Sequence, residues 1–306
     1  MEAPTLEVLG GVYVVSYPLT HLRMRIDRLA RDPRGSVSGE MRIESTHPAA
    51  PGHWLTDRIT LTHADSKSRT AAIMQRRDGA QDLPWQEIIE LACQRVLDTY
   101  RLGEPAVNLA TLPPPSPTNF LLPPYLLDHE VTMFFGDGGS AKSLLALWMG
   151  LLSTRGVSDP NSRLTPDRPV NVLYLDHERS QRDAHLRLQW LSRGMGIPIP
   201  DLFYRRCASP LAVEVEWIQG LILENGIGLV IIDSVSSACG GEIQYAAPVL
   251  AYHHAMRSLN TTILQIHHLN RADRKEQGER IPYGSIFFRN YSSATWDIRR
   301  TDDPDD

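Results

Sequence analysis

Apolar positions change their period partway along the chain, and the change divides it in two. Up to about residue 76 they recur in short alternating runs, Glu7 to Tyr17, Ser36 to Ser45, Asp57 to His63 and Arg69 to Arg76, which read as strands. Among them, His21 to Arg31 sets Leu22, Ile26 and Leu29 at helical spacing with arginines outside, read as a solvated basic face or a surface for DNA or a partner. Pro84-Trp85-Gln86-Glu87-Ile88-Ile89 then opens an amphipathic helix with proline in its first turn. The prolines of Leu112 to Thr118 can continue neither helix nor central strand, so a boundary falls there. Beyond it, apolar strands (Val131–Phe135, Val170–Asp176, Leu202–Cys207, Gly228–Asp233, Thr262–His267, Ser285–Arg289) alternate with helical segments (Lys142–Thr154, Ser180–Gly194, Val213–Asn225, Ala247–Leu259). Strands as uniformly apolar as Leu229-Val230-Ile231-Ile232 are buried on both faces. The expected organisation is a small α+β domain over 1–111, a linker over 112–118, an α/β domain over 119–300 with a mainly parallel sheet flanked by helices, and an acidic tail over 301–306.

The chemistry gathers where those strands end. Val131 to Phe135 runs into Gly136-Asp137-Gly138-Gly139-Ser140-Ala141-Lys142-Ser143-Leu144, a glycine-rich loop closed by Lys-Ser at the start of a helix, which is the build of a P-loop. Its backbone N–H groups and the helix N-terminus would cradle phosphate, Lys142 would reach the β- and γ-phosphates, and Ser143 would hold Mg²⁺. ATP and Mg²⁺ are the implied cofactors. Ala141 departs from the usual pattern, which wants glycine before the lysine; alanine fits only if the local φ/ψ does not demand glycine's freedom.

Ile227 to Asp233 has the form of a Walker B strand, and its terminal Asp233 would hold the metal beside the P-loop. The strand ending Leu175-Asp176-His177-Glu178 offers two acids; Glu178 is favoured over Asp176 for polarising a water, and either could instead cap the helix that follows at Ser180. A third strand ends in His267-His268, and a histidine there could report the γ-phosphate to the next loop. Zinc is a poor reading, because adjacent strand residues point to opposite faces.

Composition narrows the class without changing it. With 306 residues and 42% hydrophobic content the chain can build two cored domains. The absence of a long apolar run excludes a spanning helix, and the N-terminus lacks the layout of a signal peptide, so a cytoplasmic location without membrane contact is expected. Cys93, Cys207 and Cys239 suggest neither disulfides nor a zinc ribbon. A net charge of −5 gives no overall attraction to nucleic acid. Binding of single-stranded DNA would fall to a local loop, Asn270 to Arg280, through Arg271, Arg274, Lys275 and Arg280, with Ser236 to Ile243 as an uncharged second candidate.

GDGGSAKS, YLDHE, LVIIDS, QIHHLNR and the later YGSIFFRN with its tryptophan, taken together, resemble the RecA-like ATPase core, particularly the RepA-type replicative helicases of plasmids and phages. The likeness spans about Asn119 to Arg300. It implies that Lys142, Ser143, Glu178, Asp233 and His268, with a one-residue ambiguity toward His267, surround ATP. It also implies a ring of copies, a hexamer, with ATP between neighbours. The family's arginine finger falls where this chain reads Asn290-Tyr291-Ser292-Ser293-Ala294, leaving Arg289 as the nearest candidate and Arg299 and Arg300 as reserves. The implied function is a DNA helicase meeting replication or recombination proteins; a RecA-like recombination or annealing ATPase and a slowly hydrolysing ATP-gated loader or scaffold are the alternatives.

Overall fold

A computed structural model describes residues 3–49, 52–104, 106–114, 119–159, 161–269, 282, 284 and 287–300. The chain divides into two compact units, Met1–Pro114 and Pro115–Asp306. No helix among the described residues is long and apolar enough to cross a membrane.

In the first unit, β1 (Thr5–Leu9), β2 (Val12–Tyr17), β3 (Leu22–Arg31), β4 (Val37–Ser45) and β5 (Gly52–Thr60) form an antiparallel sheet in sequence order. Helices α1 (Ala64–Gln75) and α2 (Trp85–Leu102) follow. Three readings of the sequence are corrected. The run Glu7 to Tyr17 is two strands, because Gly10-Gly11 turns the chain so that Leu9 pairs with Val12. His21 to Arg31 is strand, not helix: Leu22, Met24 and Ile26 are buried while Arg23 and Arg25 between them are less so, and this period of two wins over the looser helical spacing. Arg69 to Arg76 lies mostly in α1, where Thr70, Ala71 and Met74 form the buried stripe of a helix. One face of the sheet and the two helices enclose Tyr17, Met24, Ile26, Met41, Ile43, Trp85, Ile88 and Ile89. The Tyr17 hydroxyl donates to the Ile88 carbonyl at 3.2 Å, tying sheet to α2.

The second unit opens with a short pair, β6 (Phe120–Leu122) and β7 (Leu126–Leu127). It continues as β8 (Val131–Gly136), α3 (Lys142–Arg155), β9 (Asn171–Asp176), α4 (Gln181–Met195), β10 (Phe203–Arg206), α5 (Leu211–Asn225), β11 (Ile227–Asp233), α6 (Val235–Ala238), α7 (Ala246–Ser258), β12 (Thr262–His268), α8 (Phe287–Asn290) and β13 (Ala294–Asp297). Six of these strands form one sheet in the order β10-β9-β11-β12-β8-β13, with every pairing parallel. This is the RecA-like α/β sheet expected. The last strand is corrected: Phe287 to Asn290 is a helical turn that buries Phe288, and the sixth strand begins only at Ala294. Residues 285 and 286 lie outside the described residues.

The side of the sheet under α3 and α4 buries Phe134, Val172, Tyr174, Leu229, Ile231, Leu264 and Ile266. Strand alternation carries Asp176 and Asp233 onto that same side, two residues beyond Tyr174 and Ile231. Registers align the strand ends: Asp233 lies opposite both Asp176 and Ile266, and His268 lies opposite Gly136. Four strands therefore end at one edge, three of them in a polar residue, beside the start of α3.

Candidate functional site

The loop between β8 and α3 is shaped by its backbone. A Cβ on Gly136 would run into the Ile298 carbonyl oxygen, which is held over the loop because the Ile298 amide bonds to Phe135. Gly139 has φ +82°, in the region glycine enters freely. Ala141, the residue capping α3, sits at φ 62° and ψ 16°. The position does call for a left-handed backbone, so the alanine is held where glycine would be unstrained, at a cost of about 1 kcal/mol. Its carbonyl still accepts the first helical bond, from the Leu145 amide at 2.9 Å.

Lys142 is only 5% exposed. Its ammonium donates to the carbonyls of Gly136 at 2.9 Å and Asp137 at 2.6 Å, and to Ser140 Oγ at 3.3 Å. Ser140 Oγ in turn donates to the Asp137 carbonyl at 2.9 Å. A buried charge needs such partners. The side chain is thereby folded along the loop whose amides precede it, beside the N-terminus of a 14-residue helix.

Asp233 ends β11 at 2% exposure. It accepts a hydrogen bond from Tyr174 at 2.5 Å, and the Ser143 hydroxyl at the start of α3 is close enough to favour its charged form. Burial pushes its carboxyl above the ordinary range, while those two donors pull the other way. Neither Tyr174 nor Ser234 was singled out from sequence. Ser234, joined to Asp233 by a cis peptide, donates its hydroxyl to Glu178 Oε1. Its place directly after the strand-ending acid was the available signal; nothing in the sequence pointed to Tyr174.

Glu178 also meets His268, whose Nε2 lies 3.2 Å from the same carboxylate oxygen. The bond from His268, ahead of that from Ser234, holds the Glu178 carboxyl down to about 2. The ambiguity between the histidines has a geometric answer, since His268 faces the acid while His267 is fully buried, edge-on to Phe288 at 4.6 Å. Asp176 and Glu178 separate in the same way. Asp176, 2% exposed, accepts from the amides of Glu178 at 2.9 Å and Arg179 at 2.7 Å, and from the Tyr204 hydroxyl at 3.0 Å. Ser180 caps α4 through the Asp183 amide, so neither acid is needed for that.

Lys142, Ser143, Glu178, Asp233 and His268 thus lie along one sheet edge, with Ser143 beside Asp233 and His268 bonded to Glu178. These residues fit a Mg²⁺–nucleoside triphosphate: a loop with no room for a side chain at Gly136, an ammonium, and a hydroxyl–carboxylate oxygen pair of the kind a hard cation takes. Arg289 lies on α8, and the chain beyond it returns through Ser293 to Val131, at the far end of β8 from the loop. Arg299 pairs with Asp297 at 2.7 Å. Arg271, Arg274, Lys275 and Arg280 lie outside the described residues. In the second candidate loop Gly240 packs on Pro210, and Ala238, Cys239 and Ile243 are buried, so its glycine admits a neighbouring ring of the fold.

A protein-family model described as an AAA domain matches residues 99–274, more than half of the chain, and takes in the loop, Glu178, Asp233 and His268. No curated protein matches the chain.

Proposed function

The chain belongs to this AAA domain family, a P-loop ATPase domain, and from that premise we propose that it is an ATP-driven DNA motor, a ring helicase of RepA type moving on single-stranded DNA. The observation that carries the reading is the contact between Glu178 and His268. It joins the acid proposed to orient water to the strand that leads directly into the 271–280 segment with its four cationic residues.

The division of labour follows from the chemistry of each group. Loop amides and Lys142 bind the β- and γ-phosphates. Ser143 and Asp233 would hold Mg²⁺, which supplies charge neutralisation on the phosphate oxygens. Glu178 orients a water for in-line attack on the γ-phosphorus; a P–O bond forms, the bond to the bridging oxygen breaks, ADP departs with that electron pair, and the water's proton passes to an oxygen of the transferred phosphate. With its carboxyl held near 2, Glu178 is ionised and works by aiming the water more than by basicity. When phosphate leaves, the pull on Glu178 changes, His268 is released or retained, and the following segment with Arg271, Arg274, Lys275 and Arg280 shifts its grip on DNA phosphates. An arginine from a neighbouring copy, Arg289 in this chain's numbering, would complete the transition-state charge.

A second reading is an ATP-gated loader that turns over slowly, favoured by the left-handed Ala141 in the phosphate loop. Steady-state hydrolysis with and without single-stranded DNA tests both. DNA-stimulated turnover that is lost in Glu178→Gln, with nucleotide binding retained, is expected; binding with negligible turnover in either condition would favour the loader.

A further inference from the structure

The turn that carries Glu178 is fastened on every side, and the fastening converges on a residue without a role in the chemistry above. Asp176 spends Oδ1 on the amides of Glu178 and Arg179. Its Oδ2 takes the hydroxyl of Tyr204, from the neighbouring strand β10. Its carbonyl accepts from the Cys207 amide at 2.9 Å, and the next amide, His177, donates to the Asp233 carbonyl at 2.6 Å. Tyr204 is stacked on Tyr174 at 6.3 Å between ring centroids and an interplanar angle of 13°. Tyr174 is the donor to Asp233. A stacked pair of tyrosines therefore holds the two acids that end adjacent strands, one hydroxyl to each.

We propose that Asp176, clamped by Tyr204, is a positioning residue for ATP hydrolysis: it fixes the 176–179 turn so that the Glu178 carboxylate is aimed at Ser234 and His268. The inference rests on the ATPase reading and goes beyond it, since it assigns Asp176 to orientation and excludes it from holding metal or activating water. The geometry argues this directly. Among the described residues its carboxylate bonds run to two backbone amides of the turn and to a tyrosine of β10, which occupy both of its oxygens. Without the carboxylate, two amides at the root of Glu178 lose their acceptor and the side chain samples directions away from Ser234. A misplacement of about 1 Å at a reacting group can cost on the order of 100-fold in rate.

The test is a double-mutant cycle in the full chain, read by turnover, by binding of a fluorescent ADP, and by hydrogen exchange of the 177–180 amides. Asp176→Ala should lower turnover about 10- to 100-fold with nucleotide affinity unchanged. Asp176→Asn, which keeps an oxygen for the two amides, should restore most of it. Adding Asp176→Ala to Glu178→Gln should cause no further loss of the DNA-independent turnover that remains in Glu178→Gln, because one residue acts through the other. The Glu178 and Arg179 amides should exchange faster in Asp176→Ala and as in the wild type in Asp176→Asn. If Asp176→Ala does not fold, Tyr204→Phe runs the same cycle, with an expected loss of about fivefold. Additive losses, unchanged exchange, or a fall in nucleotide affinity matching the fall in turnover would overturn the inference alone. A wild-type chain without turnover would instead overturn the ATPase reading, and the inference with it.

Discussion

Replacing Ala141 with glycine should stabilise the protein, which is the opposite of what alanine-to-glycine changes do next door in α3. Ala141 sits at φ 62° and ψ 16°. An L-residue held there is destabilised by about 1–2 kcal/mol relative to right-handed backbone, a penalty glycine escapes. Against that, glycine loosens the unfolded chain by about 0.4–1 kcal/mol. The difference centres on a net gain of about 0.8 kcal/mol, or a rise in melting temperature of roughly 2–3 °C for a unit of this size. Ala146, five residues on and inside α3, is the control; it is buried at right-handed backbone, and glycine there should cost about 1 kcal/mol or more. Urea denaturation followed by tryptophan fluorescence reads both variants, since Trp148, Trp190, Trp217 and Trp296 all lie in the second unit. A loss of stability in Ala141→Gly comparable with that in Ala146→Gly would refute the argument from backbone strain.

Tyr174→Phe removes a donor from the buried Asp233 carboxylate, so it should destabilise by about 2 kcal/mol in urea denaturation and weaken ADP binding more with Mg²⁺ than without it. Gln265→Ala severs a buried chain in which the Tyr252 hydroxyl donates to Gln265 and Gln265 donates to Ser292; a loss of about 2–3 kcal/mol is expected from the unsatisfied hydroxyl and the cavity, by the same method. Glu178 has a depressed folded pKa of about 2 against an ordinary 4.5, so its stabilisation is present above about pH 4.5 and disappears as pH falls toward 2. Discounted for partial exposure, that is worth about 1 kcal/mol. In His268→Ala the carboxyl should move back up and the acid-range loss should shrink, which denaturation at pH 6 and pH 3 would reveal as a smaller difference between the two pH values than in the wild type.

Much of this site could be read from residue order because its parts end strands. The runs before Gly136, Asp176 and Asp233 are apolar almost throughout and the run before His268 largely so, which marks them as buried parallel strands, and a parallel sheet delivers their ends to one edge. Separating the partners at each end was harder. Asp176 and Glu178, or His267 and His268, differ only in which way a turn or a strand end points, and that depends on amides and neighbours distant in sequence, such as Tyr204 and Phe288. Ala141 carries the same lesson: the sequence raises the question of its backbone angle, but the angle is set by the closure of the loop onto α3. In the first unit the helical spacing of Leu22, Ile26 and Leu29 misled, since Leu22 and Ile26 also fit a strand when Met24 is counted between them, and Leu29 falls in the register shift between Asp27 and Ala30. At Phe287 to Asn290 an aromatic run resembled a strand, whereas Phe288 is buried from a helical turn against His253 and His267.

The proposed motor is tested most directly by strand displacement from a forked DNA duplex of either polarity, with ATP, with a non-hydrolysable analogue, and with Glu178→Gln. Displacement by the wild type with ATP only is expected, and none by Glu178→Gln. ATP turnover stimulated by DNA but without displacement on either fork would contradict the helicase and leave an ATPase that anneals or loads.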